Sequence, residues 1–432
     1  MSRDVRRRFV GVLLSMGALP ATALITGPLI ARALGPDDRG IAAGVLTPLL
    51  LATWICPVGL NEAMTVAIAK MRTSPGRALR MVAPTAVVSG VVAALVMIVA
   101  APDLFPGDDD AQALLCAAAF LVPVSVVIGL VRAALQGEQA FGWINAERWA
   151  SALLRLVLVS ALFLAGALTV SSVVWITWGG SVLSGLILVY ALVRRRRQSD
   201  LAPGAVEWSR REYLTYGLRG AGVHLAVAGN ARLDQLLMVP LTSADQLGYY
   251  AVAVSLAEIP QLISGAIGSL LLPAASGGAV AQLTGRAVRM VVLLTVLVAA
   301  MGGALAAVLI PVLFGDVFQP AVLPCVLLFL AAVPFSASAV LTAGLQAMGR
   351  PGVASWAELL GLTLTVGGLL VFLPEFGAVG AATVSCGVYT VIVIVKAIAF
   401  CQLSGARLRE LLPNVREVST IVKEAGTRVG AR

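Results

Sequence analysis

Between positions 213 and 241 a stretch long enough to cross a bilayer carries Arg219, His224, Asn230, Arg232, Asp234 and Gln235. A span needs ~20 apolar residues, and a charge at membrane depth is tolerated where it faces a bundle interior or a water-filled cavity. This stretch therefore reads as a wall of an internal polar chamber. Arg155, inside another apolar run, adds a third deep guanidinium. Guanidinium stays charged and binds phosphate oxygens bidentately, so Arg155, Arg219 and Arg232 are the candidates for an anionic substrate, a diphosphate or an acidic sugar. Arg219 and Arg232 lie about 140° apart on an ideal helix. They share a chamber only if the helix breaks near Gly229 or Arg232 sits at the interface; the alternative is that Arg232 pairs with a carboxylate such as Asp234.

The acids inside apolar segments are Glu62, Asp234, Glu258 and Glu358. Glu258 sits roughly 15 Å into its helix, just before Pro260, whose missing N–H bends the helix there. A carboxylate at that depth is either a proton or sodium site or one half of an ion pair with Arg219 or Arg232. Glu62 and Glu358, nearer the cytoplasmic ends, read as gate or interface pairs. His224, the single histidine, is either a titrating member of a coupling cycle or a satisfied hydrogen bonder. Proton or sodium coupling aside, no cofactor is implied. Cys56, Cys116, Cys325, Cys386 and Cys401 have unrelated spacings and form no CxxC pair, so neither a metal site nor a disulfide framework is expected.

The elements that must hold these residues are membrane helices. Only 12% of the 432 residues are charged, about half of what a soluble surface requires. Twelve spans are expected, at 9–31, 41–66, 80–101, 111–134, 149–168, 172–193, 213–241, 248–272, 288–313, 321–346, 354–373 and 377–401. Their connections alternate in charge: basic ones include Lys70 to Arg80, Arg194 to Arg197 and Arg350, acidic ones Asp103 to Asp110, Asp245, Asp316 and Glu375. Arg32 and Arg39, beside Asp37 and Asp38, are the exceptions. Retention of Lys and Arg in the cytoplasm puts both termini there. The excess of nine positive charges has no aromatic platforms interleaved with it, so nucleic acid is not the expected partner; membrane lipids are. Asp108-Asp109-Asp110 fits the charge of an external loop. No Walker, GxSxG or HExxH motif is present and the external loops are short, so a transporter is expected rather than an enzyme.

The basic connection at 194–212 divides the chain into an N-lobe at 1–193 and a C-lobe at 213–403, with a basic cytoplasmic tail at 404–432. The halves echo each other. Leu135-Gln136-Gly137 precedes Trp149 as Leu345-Gln346-Ala347 precedes Trp356, and Ala33 to Gly40 parallels Pro240 to Gly248. Six spans per half make the repeats parallel, as in transporters that rock one lobe against the other around a central site.

Ala31-Arg32-Ala33-Leu34-Gly35-Pro36 followed by Gly40, Asp234 followed by Leu247-Gly248-Tyr249-Tyr250, and the Leu-Gln-Gly turn resemble the polysaccharide transporter branch of the multidrug/oligosaccharidyl-lipid/polysaccharide (MOP) exporter superfamily, the Wzx-like flippases. The resemblance implies an all-α fold of two six-helix lobes around a central cavity, as in MATE and MurJ proteins. It also implies movement of a lipid-linked oligosaccharide across the bacterial plasma membrane, beside a polysaccharide polymerase and glycosyltransferases. The alternatives are a cation-coupled multidrug exporter, a lipid II flippase and a non-transporting scaffold for polysaccharide assembly.

Overall fold

The computed structural model describes residues 3–71, 73–196, 208–261, 264–265 and 280–411, and within them every side chain but those of 3–20, 71, 196, 219, 220, 223, 224 and 410. The described residues form helices and turns, with no strand among them. The first long helix, α1 (Arg3–Ile55), holds the first expected span and most of the second. They meet at Gly35, whose backbone (φ 75°, ψ −178°) is open to glycine and strained for other residues, and Pro36 follows it. The second span resumes, bent by 41°, in α2 (Leu60–Met71).

The third span is α3 (Pro75–Leu104), and the fourth is α4 (Asp109–Ala119) with α5 (Val122–Gly137), bent by 42°. Next come α6 (Phe141–Leu164), the short α7 (Val170–Val174), a π-helical turn at Trp175–Gly179 and α8 (Gly180–Arg196). The buried indole of Trp178 in that turn donates to the Ala118 carbonyl at 3.1 Å. The second half follows with α9 (Arg210–Leu241), α10 (Ala244–Ala257), α11 (Val280–Phe314), α12 (Val322–Ala347) and α13 (Pro351–Ser404). α13 holds the last two expected spans, joined at Gly377 (φ 51°). Parts of the expected linker, the eighth span and the tail lie outside the described residues.

The polarity is that of a membrane protein. On α11, Leu294, Leu297, Met301, Leu305, Val308 and Val312 recur every three or four residues and are exposed, an apolar stripe on the outside. Among the described residues five helices are long and apolar enough to cross a membrane, or seven if two bent pairs each count as one. Buried apolar clusters form separately around α2, α3 and α5 and around α10, α12 and α13; Ala31 and Ala43 of α1 join the second.

The two turns paired by sequence are built alike. Ala140 N–H donates to Leu135 O (2.8 Å) after α5, and Arg350 N–H donates to Leu345 O (2.9 Å) after α12. The fifth residue of each, Gln139 (φ 56°) and Gly349 (φ 72°), takes the left-handed conformation. Carboxylates gather at the other end of the bundle, called here the acidic end. There the Asp37 carboxyl is pushed above its ordinary range by burial, then by neighbouring Asp38, Asp245 and Asp108.

Candidate functional site

The two halves touch at the acidic end through glycine. A Cβ at Gly40 would overlap the carbonyl of Ala244, and one at Gly248 would overlap the carbonyl of Pro36. Each glycine admits the backbone of the other half, which brings the two halves into contact at this end. Arg32 reinforces the seam by donating to the Leu313 carbonyl (2.8 Å) and the Val312 carbonyl at the end of α11. A cation there satisfies helix carbonyls that have no partner within the helix, and this explains one of the two arginines that break the charge alternation.

Away from the seam lies a cavity of about 410 Å³, lined by α9, α10, α12, α13 and Trp54 of α1. Arg232, Asp234, Glu258 and Glu358 all reach it. α10 ends at Ala257 with Glu258 as its cap, itself in helical conformation, and helical residues resume at Ile259 and Pro260. The Glu258 carboxylate accepts from Arg232 Nη2 at 2.8 Å. Arg232 is thus held by Glu258, whereas Asp234 accepts from the Tyr250 hydroxyl and from the Gln235 N–H (2.7 Å).

Glu358 is the hub of a second network. Its Oε1 lies 2.6 Å from Lys396 Nζ, and its Oε2 and its backbone carbonyl both accept from Asn230 Nδ2 at 3.0 Å. Lys396, fully buried, also donates to Ser338 Oγ and Thr342 Oγ1, each at 2.8 Å. Thr365 donates to Asn230 Oδ1 (3.1 Å) and Tyr389 to the Asn230 carbonyl (3.0 Å). Both legs of α13 are thereby fastened to α9 and α12. An ammonium with three donors and three oxygen acceptors is satisfied in a place where an unpaired charge is costly. Lys396 is not among the candidates that depth and charge single out above, although a lone lysine within the apolar run from 391 to 400 carries the same signal as Arg155.

The other candidates are placed differently. Arg155 stands on α6, off the cavity wall, and Glu62 is exposed at the start of α2, also off that wall. Arg155 was expected to line the central chamber; helix packing turns it toward α1 instead. Arg219 and His224 belong to α9, but their side chains lie outside the described residues. Among the described charged residues of the wall, three are acids and one is an arginine, so it is not a cationic surface. No His, Cys, Asp or Glu group of metal-binding size occurs among the described residues. The wall instead combines charged and amide groups (Asn230, Gln235, Gln261) with the rings of Trp54, Tyr250, Phe335 and Tyr389. Phe335 and Tyr389 meet edge to face at 5.1 Å.

An all-helical bundle with an apolar exterior and a polar cavity in its second half, reached from the first half by Trp54, defines a multi-pass membrane protein, and solved structures share its fold. It matches a lipid II flippase MurJ in an inward closed conformation with a TM-score of 0.72, 11% identity and coverage of 91% of this chain and 89% of the other. An inward-facing multidrug resistance MATE transporter of the MOP superfamily matches with 0.67, 16% identity and coverage of 91% and 99%. An outward-facing one matches with 0.59, 18% identity and coverage of 93% and 96%. No curated protein matches the sequence significantly. The model of the polysaccharide biosynthesis protein family matches residues 9–278, more than half of the chain, and the chain belongs to that family.

Proposed function

We propose that the protein flips a polyprenyl-diphosphate-linked oligosaccharide, a precursor of a surface polysaccharide, across the bacterial plasma membrane by alternating access. In this reading residues 1–193 and 213–403 are the two lobes, and the acidic end faces outward, with both termini in the cytoplasm. The observation that carries it is the cavity lining. Amides and carboxylates supply directional donors and acceptors for sugar hydroxyls, and the rings beside them supply faces for sugar rings, the usual division of labour in a polar ligand pocket. Family membership supports the same substrate class. Arg232 and Arg219 are assigned to the anionic part of the substrate; Glu258 and Asp234 are the acids through which protons or sodium would drive the cycle, with Glu62, Glu358 and His224 in gating. A polymerase and glycosyltransferases are the expected partners, and no catalytic step is assigned to the chain.

A second reading, a cation-coupled multidrug exporter, is favoured by one observation, the excess of acids over arginine on the wall. Proteoliposomes separate the two. Wild-type protein should move a fluorescent undecaprenyl-diphosphate-oligosaccharide, and Trp54→Ala should slow it. Folded wild-type protein that moves no such lipid under proton, sodium or voltage gradients, yet extrudes a lipophilic cation, would overturn the flippase reading.

A further inference from the structure

The buried positive charge of the first half lies outside the central cavity. Arg39 follows two exposed aspartates, Asp37 and Asp38, but is itself only 9% exposed. It belongs to the part of α1 that follows the bend at Gly35. Arg155 is partly buried midway along α6. α1 and α6 pack together, with Ile30 and Ala42 of one and Val159 of the other in a shared apolar cluster. This packing brings the two guanidinium groups within electrostatic reach of each other. The Nε of each is sealed from solvent without a hydrogen-bond partner, and no ion pair joins either to a carboxylate among the described residues. The charges of the central cavity differ in this respect. Arg232 has Glu258 and Lys396 has Glu358.

Two neighbouring cations, each with a buried and unused Nε donor, repel each other, and those donors have given up water without return. Such an arrangement is stabilised by an anion that accepts from both. A guanidinium is a planar fork matched to the oxygens of a phosphate, and two of them can hold a phosphoryl or diphosphoryl group from two sides. The apolar cluster alongside suits a ligand whose phosphate is attached to a lipid chain.

We propose that Arg39 and Arg155 form a binding site for a lipid-borne phosphoryl group, separate from the central cavity. On the function proposed above, on which this assignment of the ligand rests, that group is the diphosphate of the flipped substrate, while the glycan, with any acidic sugar that Arg232 meets, occupies the cavity. The site also accounts for the second arginine that breaks the charge alternation: Arg39 is turned into the protein.

The test is native mass spectrometry and thermal unfolding of the full chain in detergent, with undecaprenyl diphosphate, phosphatidylglycerol or phosphatidylcholine added. Wild type is compared with Arg39→Gln, Arg155→Gln, the double variant, the double lysine variant (Arg39→Lys with Arg155→Lys), and Arg195→Gln as a control for loss of one surface charge. The double glutamine variant should lose at least tenfold in affinity for undecaprenyl diphosphate, with the lysine variant between it and wild type and Arg195→Gln unchanged. Without lipid it should unfold no earlier than wild type, because no carboxylate among the described residues pairs with the charges removed. Undecaprenyl diphosphate should raise the unfolding temperature of wild type and not of the variant. If the double variant fails to fold, the single variants carry the same comparison. Equal affinity in wild type and variants overturns the site, as does an equal loss for zwitterionic phosphatidylcholine. An equal loss for phosphatidylglycerol, with no advantage for the diphosphate, assigns the site to a bilayer phospholipid and overturns its link to the substrate. Arginine-dependent binding in a wild-type protein that flips no lipid-linked oligosaccharide sinks the proposed function and leaves the site standing.

Discussion

Gly40 and Gly248 occupy matching places in the two halves, and each receives the backbone of the other half, Ala244 against Gly40 and Pro36 against Gly248. The contact has no room for any side chain. An alternating-access cycle has to break it, and the residues that close it are those whose surroundings repeat in sequence.

Gly40→Leu should therefore prevent the acidic end from closing. A side chain larger than hydrogen must displace backbone here, and overpacking of this kind costs ~1–3 kcal/mol, charged to the closed state alone. The expected outcome is folded protein with reduced transport in which a cysteine at Asp245 reacts faster with an impermeant maleimide than in the parent. Unchanged labelling and transport would remove the seam from the mechanism.

The acids at this seam give a pH dependence with a definite sign. Burial and then Asp38, Asp245 and Asp108 raise the Asp37 carboxyl, so the closed seam favours its protonated form. Closing should strengthen as pH falls into the carboxylate range and weaken above it. Asp37→Asn should flatten that dependence in the same labelling assay. The effect should be small and fade in high salt, because Asp37 is exposed and its repulsions are screened.

Lys396→Met should destabilise the protein by about 3 kcal/mol, since removing one partner of a buried pair strands the other charge. Adding Glu358→Gln should recover most of the loss. Thermal unfolding in detergent of the two single variants and the double variant checks this; an additive double variant would show that the pair is not coupled.

The Arg232–Glu258 pair should behave in the opposite way. Its side chains are 25% and 45% exposed, so either alanine variant should cost ~1 kcal/mol or less of stability. Transport should fall at least tenfold in both, read as flipping rate in proteoliposomes against an unfolding curve for the same preparation. Equal losses of stability and transport would make the pair structural.

Trp54 is half exposed on the cavity wall. Trp54→Ala should slow movement of a lipid-linked oligosaccharide several-fold, in line with the ~1 kcal/mol scale of ring contacts. Binding of undecaprenyl diphosphate, which lacks the sugar, should be unaffected. Loss of both would mean that Trp54 supports the helix rather than the glycan.

Much of the architecture was legible in the chain because membrane helices announce themselves locally. Apolar length, charge alternation and the paired Leu-Gln turns need no knowledge of what packs where. The site was legible only in part. Asp234, Arg232, Glu258 and Glu358 stand out as charges at depth, and they do meet at one cavity. Which carboxylate holds Arg232 was not readable: Glu258 lies 26 positions away, on another helix.

Sequence by itself determined that the chain is an all-helical membrane protein, with a deep polar stretch in its seventh span and two halves that echo each other. These properties follow from hydropathy, charge and turn chemistry, which act over a few residues. Tertiary structure alone decided that Lys396 neutralises Glu358, that Arg155 leaves the central cavity for Arg39, and that Gly40 and Gly248 close one end. Each depends on the rotation and crossing of helices distant in sequence, where a few degrees decide whether a side chain meets lipid, water or an opposite charge.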